Sequence, residues 1–241
     1  MRYVNHFATD EAVARYVDHY GPGTYSSLLW DVERRQLLDV LARSGQDHPR
    51  DYLDFATGTG RVLELIAPRA RRAYGIDTSA AMATHARARV PTAEISIRDI
   101  TLPGTAIERQ YDVVTAFRFV LNARRELATA ALTALRRRLR DDRSILVFNN
   151  HGNVMSHRAV LYPLHHLRAT EEPVTLLRDR TIREMCRQAG LITERVEGCG
   201  LWGGRIAAAA PHGLVERSED WFATSKLARL GSNQMYVARL A

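Results

Sequence analysis

Between residues 51 and 149 short apolar runs alternate with longer stretches of helical periodicity. The runs at 51–56, 72–77, 93–97, 111–117 and 143–149 are rich in Val, Ile, Leu, Tyr and Phe and have strand length. Helical patterns fall between them near 60–70, 79–89 and 124–140, and "LPGT" and "DDR" punctuate the joins. Such alternation predicts five parallel strands covered by helices on both faces. The C-terminal part predicts a helix near 179–189 ending at Gly190, a strand at 191–198, a further apolar segment at 205–210, a helix at 218–230 and a last strand, "QMYVARL". That tail adds a strand pair at one sheet edge.

Upstream of residue 50, two amphipathic helices near 9–20 and 24–43 flank "GPG" at Gly21 to Gly23. Tyr16 and Tyr20 lie in the first, with Phe7 and Tyr25 beside it. One reading is a helical lid hinged on the glycines; the other is that these aromatics face the core. There is no internal repeat, no low-complexity segment and no linker marking a second domain. With 241 residues and 46% hydrophobic content, the chain is large enough for the core of one domain with appendages.

No apolar run approaches the roughly 20 residues that span a bilayer, and no basic segment precedes an apolar core at the N-terminus. No membrane partner and a cytoplasmic location are the expectations. Cys186 and Cys199 are too few and too far apart for a metal cluster or disulfide framework, and are expected to be reduced and structural. A net charge of +7 raises the question of a nucleic-acid partner. Lys226 is the only lysine, so arginine has replaced lysine throughout, as a GC-rich coding bias would do. The densest run, "LRRRLRDDR", reads as the solvated face and end of a helix, where cations suit the macrodipole. Nucleic acid is therefore disfavoured as a partner.

The chemistry begins at "YLDFATGTGRV", residues 52 to 62, where a strand passes into a helix through Gly58 and Gly60. Glycines there bring bare backbone close to a ligand, and the helix N-terminus aims N–H groups at an anion. A dinucleotide fingerprint needs a third glycine where this chain has Leu63. It also leaves Asp54 facing a pyrophosphate that would repel it, whereas an ammonium-bearing cofactor would attract it. In an open parallel sheet, ligands sit beyond the C-terminal strand ends. Read there, successive strands supply Asp54 through Gly60, then Asp77 in "GIDTSAAM", Asp99 in "IRDI" and Phe117 in "VTAFRFVLNA".

This ordered set resembles the class I S-adenosylmethionine (SAM)-dependent methyltransferase family, most closely over residues 50–150. The family motif is an acidic residue followed by three alternating glycines; Asp54, Gly58 and Gly60 match it, and Ala56 stands where the first glycine is expected. The resemblance implies an α/β, Rossmann-like, seven-stranded, mostly parallel sheet flanked by helices, with the last strand antiparallel and an N-terminal helical lid. It implies a single domain over 1–241: lid 1–48, cofactor core 49–150, acceptor-side insertion 151–178 and edge strands 179–241. It also implies SAM as cofactor and S-adenosylhomocysteine as product. The loop of Ala56, Thr57, Gly58 and Gly60 would pass under the methionine part, with Asp54 near the ammonium group. Asp77 would accept from the ribose hydroxyls, Thr78 and Met82 would flank the adenine, Asp99 would meet its amino group and Ile100 would pack on the ring. Phe117 would lie near the sulfonium, where an aromatic face favours a cation.

Methyl transfer from SAM is an in-line displacement that mainly needs the acceptor held at attack distance and water excluded. A base helps when the acceptor is a hydroxyl or a protonated amine. His151 in "FNNHGN" is the candidate, with Asn149, Asn150 and Asn153 placed to orient it or the acceptor. The alternative is that this polar run merely closes the strand. Tyr16, Tyr20, Arg118, Asn122 and Asn150 are acceptor-side candidates, with Arg118 equally suited to a structural ion pair. His157, His165 and His166 are further pocket candidates. No carboxylate accompanies the histidines, so no metal is expected.

The leading expectation is methylation of a hydroxyl or amine on a small molecule, such as a specialised natural product. The rivals are a nucleic-acid or protein methyltransferase, a SAM-binding protein without catalysis, and an NAD-linked oxidoreductase. Against the first stand the absence of an Asn/Asp-Pro-Pro-aromatic motif and of a Pro-Cys nucleophile; against the last stand Leu63 and the lack of a Tyr-x-x-x-Lys pair. Oligomeric state is not legible, and a homo-oligomer stays open.

Overall fold

The computed structural model describes residues 10–102, 108–120, 123–157 and 176–241. Seven strands form one sheet among them: β1 (Asp51–Phe55), β2 (Arg72–Asp77), β3 (Glu94–Ile97), β4 (Val113–Ala116), β5 (Ile145–Asn150), β6 (Leu191–Cys199) and β7 (Asn233–Leu240). The order is β3-β2-β1-β4-β5-β7-β6. The first five strands run parallel; β7 is antiparallel to β5 and pairs antiparallel with β6. The helices are α1 (Asp10–His19), α2 (Tyr25–Arg43), α3 (Arg61–Ile66), α4 (Ala80–Arg89), α5 (Arg125–Arg136), α6 (Asp179–Gln188), α7 (Gly204–Ala209) and α8 (His212–Thr224).

Central strands are buried on both faces, and their alternation divides the core in two. Leu53 and Phe55, Val114 and Ala116, and Leu146 and Phe148 face the layer that holds α5 and α6. Tyr52, Val113, Ile145 and Val147 face the layer of α2, α3 and α4. In α5 the buried residues are Ala128, Ala131, Leu132 and Leu135, the spacing of one helical stripe.

At the N-terminal edge of the strands, buried Asp51 binds Arg72 through both carboxylate oxygens at 2.7 and 3.0 Å. Arg140 bridges Asp51 and Asp112, so β1, β2 and the segment entering β4 share one charged knot. The functional end of the sheet is the opposite one.

Several boundaries differ from expectation. The apolar segment at 205–210 is helical, as α7. The helix expected at 218–230 begins earlier, at His212 behind Pro211, and gives way to a 3-10 turn over Lys226–Leu230. The helix expected to reach residue 140 ends at Arg136, because Leu139 bridges to Tyr111 instead. Cys186 and Cys199 are unpaired and buried. No helix among the described residues is long and apolar enough to cross a membrane.

Candidate active site

In the strand order, β1 and β4 are the neighbours at which the chain reverses its direction of travel across the sheet, and a crevice opens at their C-terminal ends. A cleft of about 1100 Å³, its open mouth included, lies there. Its wall is assembled from the loops after β1, β2, β3 and β4.

The loop after β1 carries three positive φ angles at alternate residues: 53° at Ala56, 55° at Gly58 and 81° at Gly60. Each has a different consequence. Gly60 needs its bare Cα because a Cβ would lie 3.1 Å from the Ala86 Cα of α4. A Cβ on Gly58 would meet no protein atom within 4 Å, so the space it would enter belongs to the cleft. Ala56 holds the left-handed conformation despite its Cβ, at a cost of roughly 1–2 kcal/mol.

Asp54 closes β1 from within. Its two carboxylate oxygens accept from the hydroxyls of Thr115, at 2.6 Å, and Thr57, at 2.7 Å. Burial pushes its carboxyl up to about 6; the two threonine hydrogen bonds oppose the shift, and Asp77 adds to it. Tyr52 extends the chain, its hydroxyl 2.8 Å from that of Thr115. Asp77, at the end of β2, accepts the Gly58 N–H at 2.8 Å and the Ser79 N–H at 2.9 Å. Burial raises its carboxyl, against the pull of these backbone donors. The Thr78 backbone also contributes, and a carboxylate has about four lone-pair directions, so acceptor capacity remains for a hydroxyl donor. Asp99, after β3, accepts from both the N–H and the hydroxyl of Thr101.

At the end of β4, Phe117 is buried on the cleft wall and Arg118 follows with φ 60°. The Arg118 N–H donates to Asn149 Oδ1 at 2.6 Å, and its guanidinium pairs with Glu33 of α2 at 3.3 Å. Glu33 is itself buried and accepts from the side-chain amides of Asn149 and Asn233. The structural ion pair is thus the role the geometry displays for Arg118, which also lines the cleft. Tyr20, between α1 and α2, lies over Arg61 and near Arg118, with its ring centroid 3.6 and 5.5 Å from the guanidinium carbons.

The cleft brings together Asp54, Ala56, Thr57, Gly58, Asp77, Thr78, Met82, Asp99, Phe117 and Arg118. Gly60 stands behind it, packed against α4. Ile100 belongs to the core cluster and is not on the cleft wall. His151 is half-buried after β5, also outside the wall. Buried Asn150 spends its oxygen on the Gly152 N–H. Asn149 and Asn153 do not orient His151: the first holds Arg118 and Glu33, and the second donates to the carbonyls of Arg229 and Gly231. Tyr25 does not line the cleft either; its hydroxyl donates to buried Glu219, which also accepts the N–H groups of Gly200 and Leu201. Phe7, Asn122, His165, His166 and most of the 151–178 insertion lie outside the described residues, as does the side chain of Tyr16. Sequence reading passed over Arg61, Phe119 and Leu127 on the wall. Arg61 stands directly after the second glycine of the quoted motif, and that position was its signal.

Residues 29–195 match the family described as Methyltransferase domain. The chain belongs to this family. It is a SAM-dependent methyltransferase domain of the class I, Rossmann-like fold. Among solved structures it is similar to the magnesium protoporphyrin IX methyltransferase of Synechocystis with bound S-adenosylhomocysteine: TM-score 0.69, 15% identity, covering 98% of this chain and 97% of that one. The N-methyltransferase NodS of Bradyrhizobium japonicum, in complex with S-adenosylhomocysteine, matches at TM-score 0.63 and 12% identity over 99% and 96%. The pyocyanin biosynthetic protein PhzM matches at TM-score 0.64 and 13% identity over 99% of this chain and 61% of that one. At such identities the likeness is one of fold. No curated protein matches the sequence.

The residues present suit SAM. The open space at Gly58 admits a ligand against the backbone, and the carboxylates at the ends of β1, β2 and β3 suit a cofactor that bears an ammonium, a ribose and an amino-substituted ring.

Proposed function

We propose that the domain transfers the methyl group of SAM to a hydroxyl or amine of a small molecule, such as a specialised natural product. The observation that carries this reading is the cleft wall, where carboxylates at the strand ends stand with Phe117, Phe119, Arg61 and Arg118, and Tyr20 packs against both arginines. A concave site of this kind, with an apolar and aromatic wall and a few polar groups, suits a small acceptor. Two of the similar structures, a magnesium protoporphyrin IX methyltransferase and a pyocyanin biosynthetic protein, are named for small molecules.

Bound in the cleft, SAM supplies a methyl group already activated on sulfur. Asp54 faces its ammonium, Asp77 its ribose, Thr78 and Met82 the two sides of its adenine and Asp99 the adenine edge. Phe117 presents an aromatic surface where the acceptor approaches and excludes water there. Arg118 on the cleft wall and Tyr20 packed near it are assigned to the acceptor side, and Tyr16, Asn122 and Asn150 are kept as acceptor-side candidates on sequence grounds. His151, which follows β5 outside the cleft wall, is assigned as the base that takes the acceptor proton. No metal is assigned: the end of β4, where an acidic metal site would begin, carries the Arg118 cation, and activity is expected to survive chelation by EDTA.

The test is incubation of the protein with methyl-labelled SAM and a native cell extract, followed by separation of the label by size and by nuclease or protease sensitivity. Label in the small-molecule fraction is the expected result. Label in nuclease- or protease-sensitive material would overturn the acceptor class while leaving methyl transfer intact.

A further inference from the structure

Arg61 opens α3 directly after Gly60 and lines the cleft. Its guanidinium carbon stands 3.6 Å from the centroid of the Tyr20 ring and 4.6 Å from that of Trp30. Aromatic faces attract a cation without using its N–H donors, so the two rings position Arg61 and leave its hydrogen bonding to something else. Nε and Nη1 are buried and find no hydrogen-bond partner among the described residues. Buried donors left unused on a charged group carry a desolvation cost, which an anion in the guanidinium plane would offset.

We propose that Arg61 binds the α-carboxylate of SAM, so that two opposite charges read the amino-acid end of the cofactor: Asp54 for the ammonium and Arg61 for the carboxylate. The assignment rests on the cofactor reading above. Position favours the cofactor over an anionic acceptor as the source of the carboxylate. Asp54 and Arg61 bracket the loop whose Gly58 leaves open space, and both lie on the cleft wall. The planar guanidinium matches a carboxylate in shape and charge. Tyr20 lies between α1 and α2, and Trp30 lies on α2, so the N-terminal helices rest on the side chain that holds the carboxylate. Cofactor recognition and the packing of α2 and the turn before it therefore meet at one residue.

Titration calorimetry on the full chain tests this with two ligands, S-adenosylhomocysteine and the same thioether lacking only its carboxylate. The wild-type protein is expected to bind the decarboxylated ligand about 10- to 100-fold more weakly, the range of a charge-assisted contact. Arg61→Ala should weaken S-adenosylhomocysteine by a similar factor, leave the decarboxylated ligand nearly unchanged and so erase the preference. Arg61→Lys should restore part of it. A preference that persists in Arg61→Ala, or equal losses for both ligands, would overturn the assignment, the second by making Arg61 a packing residue. If the wild-type protein binds S-adenosylhomocysteine but does not distinguish the two ligands, only the Arg61 assignment falls. If it binds neither, the cofactor reading falls with it.

Discussion

The backbone N–H of Gly58 donates to the carboxylate of Asp77 at 2.8 Å, so the side chain that ends β2 pins the loop that follows β1. One carboxylate thereby shapes the glycine loop and, in the proposed cofactor map, accepts from the ribose. Asp77→Ala removes both functions, and SAM affinity is expected to fall by more than about 100-fold, the scale of two lost charge-assisted hydrogen bonds. Asp77→Asn retains one acceptor oxygen and should fall between. Calorimetry with S-adenosylhomocysteine measures both; unchanged affinity in Asp77→Ala would sink the cofactor map.

Ala56 occupies a left-handed conformation that its neighbours Gly58 and Gly60 adopt without a Cβ. Ala56→Gly relieves that contact at the expense of a more flexible unfolded chain. The relief is the larger of the two, and the variant is expected to gain about 1 kcal/mol in urea unfolding. Ala56→Val should lose at least as much, since a β-branched side chain tolerates this region least. A destabilised Ala56→Gly would show that the Ala56 methyl makes packing contacts worth more than its strain.

Glu33 carries a buried carboxylate from α2 into a ring closed by Asn149, Asn233 and Arg118. Its removal strands two amide donors together with a largely buried guanidinium. Glu33→Ala is expected to cost about 3–5 kcal/mol, and Glu33→Gln noticeably less because it keeps an acceptor. Thermal melts of Glu33→Ala and Asn149→Ala, alone and combined, should be strongly non-additive. Additive losses would mean that the ring is not a unit.

That ring was not legible in the sequence, and its invisibility has a physical cause. Glu33 stands in "DVERRQ", which reads as a solvated helix face, and its partner Asn149 lies 116 residues away. Local periodicity cannot encode a contact that only the closed sheet creates. The same holds for Tyr25, whose hydroxyl reaches Glu219 across 194 residues. By contrast, Asp54, Asp77 and Phe117 were legible because each ends an apolar strand, and the parallel sheet brings all such ends to one edge. The helix α7 was passed over because six residues are too few to display a period.

His151 tests the chemistry apart from binding. If its imidazole accepts the acceptor proton, His151→Ala should lower kcat by about 100-fold or more while leaving SAM affinity intact. The pH profile of the wild-type enzyme should show an acidic limb, with kcat rising as pH increases through the histidine range, that the variant lacks. Wild-type turnover in His151→Ala would remove the base role and leave proximity as the main source of catalysis.

Asp54 makes the fold and the cofactor respond to pH in opposite directions. Burial pushes its carboxyl up to about 6, above the ordinary value of 3.8, so the folded protein prefers the protonated form. Its contribution to stability is then fully present below about pH 4, falls as pH rises through 6 and is flat above that, a loss of roughly 3 kcal/mol. Asp77, also raised by burial, adds a change of the same sign. Asp51 acts the other way in a lower window. Burial raises its carboxyl, but the hydrogen bonds from Arg72 and Arg140 outweigh that and hold it below the ordinary value, so its stabilisation is lost only as pH falls beneath about 4. An ammonium ligand prefers ionised Asp54, so S-adenosylhomocysteine affinity should rise over the interval from about pH 4 to 6 in which the unliganded fold weakens. Urea melts of the unliganded protein and calorimetry across that range should therefore show opposed slopes, and Asp54→Asn should flatten both. Parallel slopes would mean that the Asp54 charge does not face the ligand and serves only to hold Thr57 and Thr115.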